Sequence, residues 1–255
     1  MSDKSRSARE EAATWLVAHR GAPDAWPENS LSGMRAALEA GAAFVEFDVQ
    51  LSADRVPMVV HDQELKRVTG RSGRVSRLTH YELRQRSIGE PERLGERFHS
   101  ETMPDLNAML ALLEDWPSVT VFVEIKRASL RRFGRPAVLE PVLSALKNST
   151  NPMVIISFDG PVLEMARSRS ALPIGWVFKP WNESARVEAA QLQPDYLFVR
   201  VDRVPEDERP FWPGRWQWVV YDVNSLEEAH ALRKRGAHLI ETDYLPEWLG
   251  HAPPG

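Results

Sequence analysis

The chain contains no cysteine, and this absence removes three possibilities together: a disulfide scaffold, thiolate metal sites and a cysteine nucleophile. It also lacks any apolar run approaching the ~20 residues needed to cross a bilayer. Its opening stretch, MSDKSRSAREEAATW, has no apolar h-region of the signal-peptide kind. A cytoplasmic chain with a frayed first dozen residues and no stable membrane association is therefore expected. An excess of charge of one sign is missing too. Lys and Arg number 32 against 36 Asp and Glu, a net charge of −4, so nothing draws the chain over long range to nucleic acid or an anionic surface. There is no internal repeat or low-complexity tract, and the 43% hydrophobic share is enough for a globular core.

What is present is alternation. Short apolar runs fall at 15–18, 44–49, 120–125, 153–157, 174–178, 196–200, 217–222 and 238–242. Helical patterns lie between most of them, at about 30–40, 105–115, 136–148, 160–170, 184–192 and 225–235. Ser30, Asp105, Asp159 and Asn224 stand at plausible N-caps, and Gly41 and Gly236 where helices should end. Strands separated by helices must pair in parallel, and eight such units make a (β/α)8 barrel the expected fold. An open doubly wound sheet is the weaker alternative, because no Gly-rich phosphate loop follows the first strand. A further apolar run, VPMVVHD at 56–62, follows too closely for a helical crossover and is expected to return antiparallel, turning at Ala53-Asp54-Arg55. Residues 63–104 read as an irregular insertion over the barrel mouth, carrying Arg67, Arg71, Arg74, Arg77, Arg84, Arg86, Arg93 and Arg97. A solvated basic surface explains these arginines better than attraction of an anion.

Chemistry in such a barrel sits at the C-terminal ends of the strands. There the sequence collects His19-Arg20-Gly21, Glu46 and Asp48, His61-Asp62, and Glu124-Ile125-Lys126. Glu46 and Asp48 are two apart on a strand, so they share a face, as do Glu124 and Lys126. Carboxylates without thiolates are hard oxygen ligands suited to Mg²⁺ or Ca²⁺, whereas zinc would favour HxH or HExxH patterns that do not occur. Arg20 and Lys126 add the positive charge that a phosphate needs. Two imidazoles with an unperturbed pKa of ~6.5 can serve as one acid and one base. The set fits phosphodiester cleavage. The other five histidines, His80, His99, His230, His238 and His251, fall at surface or packing positions.

The stretch AHRGAPDAWPENSLSGMRAALEAGAAFVEFDVQLSADRVPMVVHD resembles the glycerophosphodiester phosphodiesterase family of the bacterial cytosolic type. The resemblance rests on His19-Arg20-Gly21, Pro27-Glu28-Asn29-Ser30, Glu46-Phe47-Asp48, His61-Asp62 and Glu124-Ile125-Lys126, with further echoes at 103–110, Ser157-Phe158, Val223-Asn224 and Glu241-Thr242-Asp243. It runs from about residue 15 to 249. It implies a TIM barrel of the PLC-like phosphodiesterase type that hydrolyses a small-molecule glycerophosphodiester to sn-glycerol 3-phosphate and an alcohol. On that reading 1–14 is a flexible segment, 15–249 one catalytic barrel and 250–255 a tail. By analogy His19 and His61 are the acid and base, and Glu46, Asp48 and Glu124 bind one divalent cation, Mg²⁺ or Ca²⁺. Arg20 and Lys126 bind phosphate, and Asn29 and Glu28 support the site or contact metal or glycerol.

The chain departs from the family pattern in three places: Tyr221-Asp222 stands for Trp-Thr, Arg55 for a turn glycine, and His238 for an acid. Rival readings are a lysophospholipase D-like enzyme, with Trp26, Phe178, Trp181, Phe211 and Trp212 lining an acyl approach, and a binding protein without catalysis. Retention of both histidines argues against the latter.

Overall fold

Among the described residues nine strands form one sheet that closes on itself. In the computed structural model, which describes residues 11–207 and 209–252, the parallel strands are β1 (Leu16–Ala18), β2 (Phe44–Leu51), β4 (Thr120–Ile125), β5 (Met153–Ser157), β6 (Ile174–Phe178), β7 (Tyr196–Arg200), β8 (Gln217–Tyr221) and β9 (Leu239–Thr242). They follow one another around the barrel, and β1 pairs with both β9 and β2, which closes it. The expected eight parallel strands are therefore all present. Their continuous apolar runs reflect burial on both faces, inside against the barrel core and outside against helices. Within the barrel, Phe122 sits edge-on to Tyr196 and Phe198, with ring centroids 5.0 and 5.2 Å away.

The helices start where small polar side chains satisfy free N–H groups. Ser30, Asp105 and Asp159 accept from Gly33, Ala108 and Val162. The expected cap Asn224 is displaced by one residue: Ser225 caps the helix Leu226–Arg235, accepting from Glu228 N. Asn224 instead accepts from the Asp243 N–H at 3.4 Å.

The hairpin strand β3 (Pro57–Val59) runs antiparallel to β2, with Val49 opposite Val59 and Leu51 opposite Pro57. It is shorter than the apolar run that marks it. Beyond it Gln50 Nε2 donates to the His61 carbonyl at 2.8 Å and holds the chain against β2. Residues 63–104 are more ordered than an irregular insertion. They hold short helices at Lys66–Thr69, His80–Arg84 and Pro91–Leu94. Met58, Leu65, Val75, Leu83, Ile88 and Met103 are among the residues of a second, smaller core beneath them. Arg93 pins this segment to the loop after β1 by donating to the Pro23 and Trp26 carbonyls at 2.5 and 2.7 Å.

Of the segment expected to be frayed, residues 11–13 are helical and 1–10 lie outside the described residues, as do 253–255 of the tail. Among the described residues no helix is long and apolar enough to cross a membrane.

Candidate active site

One cavity of about 320 Å³ opens at the C-terminal ends of the strands, lined by His19, Arg20, Glu46, His61, Glu124 and Lys126 from the expected set. The β2–β4 register builds half of it. Asp48 lies directly beside Glu124, and Glu46 sits one pleat deeper on the same face of β2. Oxygen atoms of Glu46, Asp48 and Glu124 all lie within 4.8 Å of one another.

The loop after β1 supplies His19 and Arg20 through a strained turn. Arg20 and Asn29 hold φ of +52° and +56°, a region that non-glycine residues enter mainly where the surrounding structure imposes it. Between them Gly21, at φ +90°, passes so close to the helix Leu31–Glu39 that a Cβ would fall 2.7 Å from the Gly33 carbonyl carbon. Only glycine fits there.

Each histidine is held by a carboxylate through Nδ1. His19 Nδ1 lies 2.7 Å from Asp243 Oδ1, and His61 Nδ1 lies 2.8 Å from Asp62 Oδ1. Such a contact selects the tautomer and leaves Nε2 free for chemistry. Burial and the charge of Arg20 both disfavour the His19 imidazolium, but Glu241 and Asp243 outweigh them and raise its pKa.

The expected phosphate-binding cations are both paired. Arg20 Nε lies 3.0 Å from Asp48 Oδ2, and Lys126 Nζ lies 3.0 Å from Asp48 Oδ1 and 2.9 Å from Glu124 Oε1. Burial opposes the ionised form of Asp48, yet Lys126 and Arg20 hold its pKa far below the usual carboxylate range. Glu46 has the opposite fate. Burial first, then Asp48, Glu241 and Glu124, push its pKa well up, and the Arg20 backbone N–H at 3.2 Å is the donor it meets.

Asn29 and Glu28 sit behind the cavity wall and do not line it. Asn29 exchanges two hydrogen bonds with Asp48, donating from Nδ2 at 2.9 Å and accepting the Asp48 N–H at 3.1 Å. Glu28 receives Arg67 on both oxygens at 2.7 Å and Arg20 at 3.3 Å. Of the roles open to these two residues, the contacts match support.

Asp243, Glu241 and Arg67 had no assigned role in the sequence reading. Asp243 and Glu241 lie more than two hundred positions from His19, and no local pattern connects them. Arg67 is one arginine among many in its segment, where a solvated surface was expected; instead it ties Glu28 to Asp62. Of the five aromatics considered for an acyl approach, only Phe178 reaches the cavity. Trp181, Phe211, Trp212 and Trp218 pack against one another, with centroids 4.5 to 5.7 Å apart.

The carboxylates suit a divalent cation. Glu46, Asp48, Glu124 and Glu241 are four buried acids set among two largely buried cations, Arg20 and Lys126, so carboxyl groups outnumber the Arg and Lys cations by two. Hard oxygen donors at this spacing match Mg²⁺ or Ca²⁺.

A sequence model described as the glycerophosphoryl diester phosphodiesterase family matches residues 19–247. The glycerophosphodiester phosphodiesterase of Caldanaerobacter subterraneus subsp. tengcongensis is 29% identical over 90% of this chain and 94% of its own length. Human glycerophosphodiester phosphodiesterase 1 is 33% identical over 66% of this chain, a match that spans only 50% of the human protein. Among solved structures, an Oleispira antarctica phosphodiesterase in complex with the product sn-glycerol-3-phosphate superposes with a TM-score of 0.79 at 21% identity, covering 92% of this chain and 94% of that one. The Thermotoga maritima glycerophosphodiester phosphodiesterase gives 0.70 at 23% identity, covering 92% and 97%. These likenesses establish the fold.

Proposed function

The chain belongs to the glycerophosphoryl diester phosphodiesterase family and is an enzyme of that class, and we propose that its barrel mouth cleaves glycerophosphodiesters by two-histidine acid–base catalysis with one divalent cation. Water is consumed and the products are sn-glycerol 3-phosphate and an alcohol. The observation that carries this reading is the pair of Nδ1-held histidines facing one cavity with Glu46, Glu124, Arg20 and Lys126, with Asp48 completing the carboxylate triplet.

Glu46, Asp48 and Glu124 are the residues that would hold the cation. Bound there, Mg²⁺ or Ca²⁺ would polarise a phosphoryl oxygen and offset the charge gathering at phosphorus. Arg20 and Lys126 orient the non-bridging oxygens by charge-assisted hydrogen bonds. They line the cavity while each is ion-paired with the buried Asp48 behind it.

Burial separates the two histidines. The His19 side chain is 10% exposed and that of His61 31%. The compact glycerol end therefore enters toward His19, and the variable alcohol lies toward His61 and solvent. His19 Nε2 removes the proton of the attacking oxygen, which is either the neighbouring glycerol hydroxyl or water. His61 donates its proton to the leaving alkoxide as the P–O bond breaks. If a cyclic phosphate forms first, the roles reverse when water opens it, and both imidazoles return to their starting states.

The test is a panel of glycerophosphocholine, glycerophosphoethanolamine, glycerophosphoglycerol and lysophosphatidylcholine, each with Mg²⁺, with Ca²⁺ and with EDTA. Metal-dependent release of glycerol 3-phosphate from the water-soluble diesters is expected. Activity confined to the lysolipid, or none on any diester, would overturn the reading.

A further inference from the structure

Glu241 is an acid of the cavity that belongs neither to the Glu46–Asp48–Glu124 triplet nor to the pairs that hold the histidines, although its oxygen, one of Glu46 and a nitrogen of His19 lie within 4.8 Å of one another. It lies on β9 with 3% of its surface exposed. Its Oε1 is 3.6 Å from His19 Nε2, and its Oε2 is buried with no hydrogen-bond partner among the described residues. A carboxylate taken out of water without partners is strongly unfavourable, and an apolar residue would suit this strand position better. Its presence needs a ligand to complete it.

The position specifies which ligand. His19 Nδ1 is occupied by Asp243, so the oxygen that His19 serves must approach Nε2, and that oxygen then lies beside Glu241. Where the neighbouring glycerol hydroxyl is the attacking oxygen, the hydroxyl served by Nε2 is on the middle carbon, and the terminal hydroxyl is one carbon further on. The cavity wall here offers acceptors, Glu241 and Asp222, which suit a group that donates. Resting on the reading that the substrate is a glycerophosphodiester, we infer that Glu241 accepts a hydrogen bond from the terminal glycerol hydroxyl and makes that hydroxyl a condition of turnover. An acyl ester at this oxygen has no proton to give and leaves the carboxylate desolvated and unpaired. The deacylated diester is thereby selected over the lysophospholipid. Sites built to bond a hydroxyl reject analogues lacking it by ~10⁴–10⁵-fold, far more than an apolar pocket discriminates.

The experiment compares kcat/KM on glycerophosphocholine with that on 2-hydroxypropyl phosphocholine, which keeps the middle hydroxyl and lacks the terminal one. Lysophosphatidylcholine is the third substrate. The wild-type enzyme is expected to prefer glycerophosphocholine over the deoxy analogue by at least ~10²-fold. In Glu241→Leu that ratio should fall to within a few-fold of one, by loss on glycerophosphocholine and not on the analogue. Glu241→Gln, which keeps one acceptor oxygen, should be intermediate and serves if the leucine variant does not fold. Mg²⁺ affinity is followed by calorimetry in parallel. An equal loss on both substrates, or an unchanged ratio with the loss confined to metal affinity, would overturn the inference while glycerophosphodiester turnover still stands. Wild-type silence on every glycerophosphodiester would overturn the parent reading and this one with it.

Discussion

Arg67 and Glu28 form a two-pronged ion pair, with each guanidinium nitrogen 2.7 Å from one carboxylate oxygen. The third nitrogen of Arg67 lies 2.7 Å from Asp62, the residue that holds His61. One arginine of the inserted segment thus joins the underside of Arg20 to the orientation of His61. Burial disfavours the Glu28 carboxylate, but Arg67 and Arg20 more than compensate and keep its pKa low. Arg67→Ala is expected to lower kcat by about 10–100-fold through His61, as loss of a residue behind the reacting groups does. It should destabilise the fold by about 1–2 kcal/mol, a value discounted because the side chain is 46% exposed. Arg67→Lys should not restore activity, since an ammonium cannot serve three oxygens in one plane. Normal kinetics in the lysine variant would remove this role.

Replacing either histidine tests the acid–base assignment directly. His19→Ala and His61→Ala should each reduce turnover by about 10²–10⁴-fold while circular dichroism and melting temperature stay near wild type. The pH profile of the wild type should be bell-shaped, and each variant should lose one limb.

Glu46→Gln separates stability from function. Burial and the neighbouring acids raise the Glu46 pKa, so its charge is a burden in the metal-free fold. The variant is expected to melt higher than wild type in EDTA and to bind Mg²⁺ or Ca²⁺ more weakly by calorimetry. The loss in affinity should exceed the ~10–100-fold typical of residues that only support a ligand. Unchanged affinity would exclude Glu46 as a ligand.

Arg55 occupies the β2–β3 turn at φ +63°, where an L side chain is strained. The family resemblance places glycine here, and the geometry explains why. Arg55→Gly should stabilise by about 0.5–1 kcal/mol, the relief of left-handed strain less the added freedom of the unfolded chain. Urea denaturation would measure it.

Asp24 gives a pH-dependent prediction. Burial lifts its carboxyl from 3.8 to about 6, with Glu247 adding and the Ala25 N–H opposing. The folded chain therefore binds the extra proton between these values, and stability falls as pH rises through about 6. Asp24→Asn should leave the melting temperature unchanged near pH 3 and raise it at pH 8. The gain should be about 1 kcal/mol, the full shift discounted for the partly exposed side chain. Equal effects at both pH values would refute the assignment.

How far the sequence disclosed this site depends on distance along the chain. The barrel strands were legible because strands buried on both faces are short, unbroken apolar runs between turn residues. Glu46, Asp48, Glu124 and Lys126 could be grouped because an i, i+2 spacing fixes their face. Four- and five-residue helices such as Lys66–Thr69 and His80–Arg84 carry no period to detect, so residues 63–104 looked irregular. Asn224 and Ser225 are both good caps, and composition does not choose between neighbours. Asp243 and Glu241 became partners of His19 only through ring closure, which no local pattern encodes.

That closure bears on the order in which the protein comes into being. His19 and Asp243 are separated by 224 positions, and the strands that carry them are neighbours only when the ring is complete. At ~5–20 residues per second, His19 waits roughly 10–45 seconds of translation for the residue that orients it. A ribosome stalled before β9 would display Glu46, Asp48, Glu124 and His61 without an aligned His19. Unfinished chains of this design are expected to be chemically silent, and hydrolysis begins with the last strand to be made.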